Sequence, residues 1–142
     1  GDAALWETLA ALPLDYLGQP GTHGRVATVA AWREAGPWRD DLMALLTENR
    51  ARITEWAATL PWETGYRAPE ATYLAWLDCT GSPLGPDPAG HLLRHAGVQV
   101  SAGADFSPDT AGFIRINFAT SPDVLTEILA GISRRAVYAA AG

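Results

Sequence analysis

The feature that most constrains the fold is a change in hydrophobic period near residue 61. Over residues 37–60 apolar side chains recur at spacings of three and four, which predicts one long helix. Gly36 and Pro37 mark its start, because proline suits the first position of a helix. A helix of that length, about 35 Å at ~1.5 Å per residue, is typical of a connection between two lobes. Its apolar stripe comprises Trp38, Leu42, Leu45, Leu46, Ile53, Trp56 and Leu60.

Beyond the long helix the sequence predicts a small lobe of strands and helices. The order from residue 62 is strand, helix, short strand, strand, helix. This order gives an α+β fold, an α/β two-layer sandwich in which a few-stranded sheet is packed by helices. Asp87 caps the first of these helices, Gly97 ends it, and Ser121 opens the last one. The predicted strands are residues 70–79, buried on both faces, 98–100 and 113–118; the other predicted helices are 2–12 with Asp2 as cap, 24–35, 88–96 and one from 122.

Composition argues against several classes of partner. The 142 residues carry a formal net charge of −6, and phosphate binding needs clustered cations, so no nucleic acid is expected. No apolar run approaches the ~20 residues that span a bilayer, so no membrane partner is expected either. The single cysteine, Cys79, excludes an intrachain disulfide and favours a cytoplasmic location.

The candidate binding residue is Arg115, which lies in an apolar segment, residues 112–118. In a strand, Ile114 and Ile116 share one face and Arg115 lies on the other. A guanidinium among apolar residues is costly unless an anion or several acceptors meet it. One interpretation is that Arg115 binds a ligand carboxylate through paired hydrogen bonds. The alternatives are an exposed sheet face or an internal salt bridge to Asp or Glu.

Two other groups of side chains have the residue types of reactive or metal-binding sites. His91 and His95 are four residues apart on one helix face, a spacing that can hold zinc. Leu92 stands where a metalloprotease needs glutamate, so we expect solvated or helix-capping histidines and no metal site. Cys79 has no adjacent cationic motif, and we expect an inert, buried thiol.

Three segments that follow one another in order carry a resemblance to a known family. They are PEATYLAWLDC at 69–79, GVQVSAGADF at 97–106 and GFIRINFATS at 112–121, with the pair Asn49-Arg50 in the long helix. Together they resemble the C-terminal region of fold-type-I pyridoxal 5′-phosphate (PLP) enzymes. Among these, the MalY/PatB-type cystathionine β-lyases, of the class I/II aminotransferase family, are the most similar. The resemblance covers about residues 13 to 135 and leaves lyase and transaminase activity both open.

The resemblance implies a domain organisation and a set of partners. Residues 1–36 correspond to the end of the large cofactor domain, 37–61 to the interdomain helix, and 62–142 to the small C-terminal domain. Arg115 is implied to bind the substrate α-carboxylate, and Thr22 to be a candidate contact to the cofactor phosphate. The parent protein is implied to be a PLP-dependent homodimer that acts on an amino-acid substrate, with the large domain as this chain's partner.

One departure from the family limits what this chain can do. All ten of its basic residues are arginines, and an arginine cannot form the imine that holds PLP. The resemblance therefore implies a C-terminal fragment of a C–S lyase or aminotransferase, inactive alone, with no catalytic residue and no bound cofactor of its own. The alternative is a stand-alone, non-catalytic module of the same fold that binds carboxylates or a partner protein.

Overall fold

A computed structural model of the protein describes residues 2–13, 16, 18 and 21–139. The chain divides into two compact units, Gly1–Asp41 and Leu42–Gly142. The first unit contains helices α1 (Ala3–Ala10) and α2 (Thr22–Glu34) and the start of α3 (Gly36–Ala57). The second contains the rest of α3, then β1 (Leu74–Asp78), α4 (Pro88–Ala96), β2 (Ser101–Ala102), two single-turn 3-10 helices (Gly103–Asp105 and Pro108–Thr110), β3 (Phe113–Asn117) and α5 (Pro122–Ala139).

The two helices of the first unit match the predicted ones to within two residues at each end. Asp2 caps α1 as expected, because its carboxylate accepts a hydrogen bond from the backbone N–H of Ala4 at 3.0 Å. None of the described residues in α1 or α2 is buried. Trp6 and Trp32 are 69 % and 86 % exposed, so large apolar side chains of this unit face outward. No described helix is long and apolar enough to cross a membrane.

Helix α3 ends at Ala57, three residues before the predicted end at residue 60. The backbone N–H groups of Thr59 and Leu60 donate to carbonyls three residues earlier, at 2.9 and 3.3 Å, which closes a tight final turn. Pro61 follows, and its ring disfavours helical geometry in the preceding residue. The helix therefore stops at a local signal that the apolar periodicity did not reveal.

The predicted apolar stripe of α3 contacts the core through its later turns. Ile53 is fully buried, and Leu46 and Trp56 pack half-buried against the core of the second unit. Trp38, at the start of the stripe, is instead 66 % exposed.

The second unit is built on a three-stranded antiparallel sheet with the order β1-β3-β2. One face of the sheet is buried through Ala75, Leu77, Ile114 and Ile116, which join the core that α3, α4 and α5 also line. This arrangement confirms the α+β fold and the predicted order of elements.

The first strand is shorter than predicted and is not buried on both faces. Residues 70–73 form bends, and Thr72 adopts a left-handed backbone with φ 72°, so β1 begins at Leu74. Within β1, Ala75 and Leu77 are fully buried, whereas the alternate residues are only half-buried. The continuous apolar run predicts burial on both faces, whereas the side chains of β1 alternate between the core and the opposite face of the sheet.

The short middle strand is Ser101–Ala102, not residues 98–100 as predicted. Gly97 ends α4 in the left-handed conformation with φ 66°, as expected of a terminating glycine. The N–H of Val98 then donates to the carbonyl of Leu92 at 3.3 Å. This closure uses an N–H that a strand would need, so sheet pairing begins only at Ser101.

Candidate functional site

Arg115 lies in the middle of β3, the central strand of the sheet. Trp76 on β1 and Ser101 on β2 are its direct partners in the register on either side. The neighbouring Ile114 and Ile116 are 0 % and 1 % exposed, whereas Arg115 is half-buried on the opposite face. The predicted strand alternation is therefore confirmed, and it places the guanidinium on the sheet face away from the core.

Among the described side chains, the guanidinium of Arg115 meets a hydroxyl and an aromatic ring but no carboxylate. Its Nη2 donates to Ser101 Oγ at 3.2 Å, and its Cζ lies 4.4 Å from the centroid of the Phe106 ring. The two salt bridges between described residues involve other arginines. The internal salt bridge considered as an alternative is thus not found in the described part of the chain. Arginine has five N–H donors, so several remain available to a ligand anion.

The Phe106 ring beside this guanidinium belongs to an aromatic cluster of Trp76, Phe106 and Phe113. Trp76 meets Phe106 edge-on, with ring centroids 5.6 Å apart, and stacks on Phe113 at 5.5 Å with an interplanar angle of 21°. Such contacts favour a defined arrangement of the rings. The result is a cationic group set in an apolar sheet face, where charge-assisted hydrogen bonds are stronger than in open water.

Phe106 is held by a tight turn, residues 103–110, that depends on a glycine. The carbonyl of Gly103 accepts hydrogen bonds from the N–H of Phe106 at 2.9 Å, the N–H of Ser107 at 3.3 Å and the hydroxyl of Thr110 at 2.8 Å. A Cβ on Gly103 would overlap the carbonyl oxygen of Thr110 and crowd Phe113. Only glycine therefore allows the turn to close against β3.

The pair Asn49-Arg50 ties α3 to the segments that follow β3 and precede β1. Asn49 is fully buried, and its Nδ2 donates to the carbonyls of Phe118 at 2.9 Å and Thr120 at 2.8 Å, just after β3. Arg50 Nη1 donates to the carbonyl of Pro69, ahead of β1, at 3.2 Å. In this chain the pair holds backbone in place and does not reach the face that carries Arg115.

The remaining candidate residues do not assemble into a second site. Thr22 is the exposed first residue of α2, and its role stays a prediction. The rings of His91 and His95 lie 4.6 Å apart on α4. Partial burial lowers the pKa of His91, and the nearby charges of His95 and Arg94 lower it further. Within the described residues, no three His, Cys, Asp or Glu side chains come together as metal ligands would.

Cys79 is fully buried, as expected from its surroundings in the sequence. Burial raises the pKa of its thiol from 9.0 to about 12, and the charge of Asp78 adds to the rise. We expect the folded chain to resist a thiol reagent such as DTNB at pH 8, because the thiolate is the reactive form. The chain unfolded in urea should react at once, and rapid reaction of the folded chain would contradict this assignment.

The same pKa shift predicts a loss of stability in alkali. A pKa raised on folding stabilises the folded state fully below about pH 9, and this contribution is lost as the pH rises toward about 12. The unfolding midpoint of the wild type should therefore fall more steeply above pH 9 than that of Cys79→Ala. If the urea unfolding midpoints of the wild type and of Cys79→Ala depend equally on pH, the raised pKa of the Cys79 thiol is refuted.

Known proteins are similar to this chain in sequence and in fold, although no family model matches the chain. A candidate cystathionine β-lyase of Mycobacterium tuberculosis is 36 % identical over 145 residues, covering 89 % of this chain and 35 % of that protein. Cystathionine β-lyase PatB of Bacillus subtilis is 29 % identical over 129 residues, covering 87 % and 33 %. The crystal structure of a candidate PLP-dependent β-cystathionase of Corynebacterium diphtheriae matches with a TM-score of 0.82 at 27 % identity, covering 96 % of this chain and 36 % of that one.

These similarities define the chain as having the small α+β domain fold of fold-type-I PLP enzymes. More narrowly, it is a homologue of the MalY/PatB-type cystathionine β-lyases, which confirms the resemblance seen in its motifs. The chain spans about a third of the length of the curated relatives it matches.

Two residues at the candidate site were missed by sequence reasoning. Ser101 and Phe106 both fall in the motif at 97–106, but only the folded chain brings them to Arg115. Ser101 reaches it through the β2–β3 register, and Phe106 through the turn that Gly103 permits. The available signals were a polar residue just after the predicted strand 98–100 and an aromatic residue near a glycine, and neither is specific.

Proposed function

We propose that this chain supplies the substrate-carboxylate site of a PLP-dependent C–S lyase of the cystathionine β-lyase type. The observation that carries the proposal is the guanidinium of Arg115. It is half-buried, lies over the Phe106 ring, and has no carboxylate partner in the described part of the chain. Relatives named for cystathionine β-lyase activity favour a lyase over an aminotransferase, the other activity open to this family.

In this proposal Arg115 binds the α-carboxylate of an amino acid. Its planar fork matches the two carboxylate oxygens, which fixes the orientation of the ligand as well as its position. Because Arg115 is half-buried, the ion pair should be screened less than one on an open surface. Arg115 therefore acts in binding and orientation, not in proton transfer.

We assign the chemical steps to the complete protein, because the residues of this chain do not fit the cofactor by themselves. None of its 142 residues is a lysine, so no side chain can form the imine to PLP. Thr22, the one candidate for phosphate contact, is a single exposed hydroxyl. In the complete homodimeric protein we propose residues 1–36 as the end of the large cofactor domain, 37–61 as the linking helix and 62–142 as the small domain.

Carboxylate binding can be measured on the chain as it stands. We expect titration with L-methionine to shift the backbone NMR signals of Ser101 and Arg115 saturably. The dissociation constant should be on the order of 10 mM, as for one charge-assisted ion pair without the rest of a site. Arg115→Met should abolish the shifts at Ser101. The matched control Arg52→Met removes an exposed arginine of α3 and should leave binding unchanged. Binding that survives Arg115→Met would refute the assignment.

The assignment to a larger enzyme has a separate test. The gene that encodes this chain is sequenced on both sides, and its full product is purified and treated with borohydride. We expect a lysine-bearing domain in the same reading frame and a reduced PLP–lysine adduct on it. A product without that domain which still binds methionine would instead support the stand-alone binding module.

A further inference from the structure

We infer that Ser101 and Phe106 are positioning residues, which hold the guanidinium of Arg115 in place before a carboxylate arrives. The inference rests on the proposed function of Arg115, and it adds which neighbours order the side chain of that arginine before the ligand binds.

Ser101 constrains the guanidinium within its own plane. Its Oγ accepts a hydrogen bond from Arg115 Nη2 at 3.2 Å, and N–H bonds of a guanidinium lie in that plane. The serine is itself anchored, because β2 pairs with β3 directly opposite Arg115. One edge of the guanidinium is thus engaged by the protein, and the remaining donors are left to a ligand.

Phe106 constrains the guanidinium from a second direction. The guanidinium carbon Cζ lies over the Phe106 ring, 4.4 Å from the ring centroid, which is a cation–π distance. The ring is supported by the edge-on contact with Trp76 and by the N–H that Phe106 donates to Gly103. The hydrogen bond to Ser101 and the contact with the Phe106 ring together restrict the guanidinium from two directions.

Restricting the guanidinium in advance matters because a free arginine side chain must lose rotamer freedom when it binds. A group already ordered by its neighbours loses less, and its affinity rises accordingly. Removing either contact should therefore weaken carboxylate binding by roughly three- to ten-fold without removing the charge. It should also free the guanidinium to rotate in the absence of any ligand.

NMR of arginine side chains measures that rotation directly, through exchange between the two Nη groups about the Nε–Cζ bond. The Arg115 signals are assigned by their loss in Arg115→Lys. In the wild type, rotation at Arg115 should be several-fold slower than at exposed Arg52. Ser101→Ala and Phe106→Leu should each accelerate it and raise the dissociation constant for L-methionine, whereas Ser101→Thr, which keeps the hydroxyl, should restore both.

Phe113→Leu is the matched control for Phe106→Leu. Both phenylalanines contact Trp76, but of the two only Phe106 lies against the guanidinium. Phe113→Leu should therefore leave the rotation of Arg115 unchanged even if it lowers the stability of the chain. A purely structural role for Ser101 or Phe106 would change stability and leave rotation as it is, and that result would overturn the inference.

The outcomes separate the inference from the proposed function. In one outcome, the Arg115 guanidinium rotates slowly in the wild type and faster in the two variants, but the wild type does not bind methionine. This outcome would refute the proposed function and leave the positioning role intact. Methionine binding that is lost in Arg115→Lys or Arg115→Met but unchanged in Ser101→Ala and Phe106→Leu would refute the positioning role alone.

Discussion

Replacing Gly103 with alanine is expected to lower the free energy of unfolding by about 3 kcal/mol, at the upper end of the cost of overpacking. The added Cβ would overlap the carbonyl oxygen of Thr110 and crowd the Cβ of Phe113. Two backbone segments would have to separate, and the Gly103 carbonyl accepts three hydrogen bonds that close the turn. The Phe106 ring should lose its fixed position at the same time, so this variant should also weaken methionine binding.

Gly81→Ala is the matched control for this prediction. A Cβ at Gly81 would have no atom within 4 Å, and its backbone does not need the left-handed region. Its free energy of unfolding in urea should therefore stay within about 0.5 kcal/mol of the wild type, as for most surface substitutions. Equal stability of the Gly81→Ala and Gly103→Ala chains would mean that the turn is not closed as described.

The substitution Leu92→Ala is the second change with a large expected effect. Leu92 is fully buried in the core that α4 shares with the sheet, so its loss removes buried apolar area and leaves a cavity. Comparable truncations of buried leucine lower the free energy of unfolding by 2–5 kcal/mol, and we expect about 3 kcal/mol here. Urea unfolding followed by circular dichroism measures the difference.

The next residue along α4 provides the control for this core prediction. Leu93 is 52 % exposed, so Leu93→Ala deletes the same atoms without opening a cavity in the core. We expect a loss below about 1 kcal/mol. Similar losses in the two variants would contradict the orientation of α4, on which the assignment of the buried sheet face depends.

Local signals in the sequence predicted most of the fold because they act within a few residues. Helix α4 is the clearest case: Asp87 accepts a hydrogen bond from the N–H of Gly90 at 2.9 Å, and Gly97 takes the left-handed conformation, as their residue types indicate. The alternation of β3 around Arg115 was equally readable from its pattern of apolar residues.

What the sequence did not predict depends on contacts between distant segments. The N–H of Val98 bonds to the carbonyl of Leu92, and β2 pairs with β3 only from Ser101. Ser101 is 14 residues from Arg115, and it comes close only through sheet register. No periodicity within one segment carries such information, which is why the candidate site was predicted as a single arginine and not as an arginine with two supporting neighbours.

For the first unit, the sequence predicts the helices but not what packs against them. Its helices were predicted correctly, but none of the described residues in α1 and α2 is buried, although the sequence gives α1 an apolar side. Helical periodicity predicts a face that can pack. It does not identify what packs against that face, so the proposed place of residues 1–36 within a large domain rests on the relatives and not on contacts within this chain.

We propose that Arg115 binds the carboxylate of an amino acid, and a comparison of two ligands tests this claim. The Arg115 side-chain NMR signals of the wild-type chain are followed during titration with L-methionine and, separately, with L-methioninamide, which keeps the amine and the thioether but lacks the carboxylate. We predict a saturable shift with methionine and none with methioninamide at equal concentrations and ionic strength. Equal shifts with both ligands, or no shift with either, would contradict the claim.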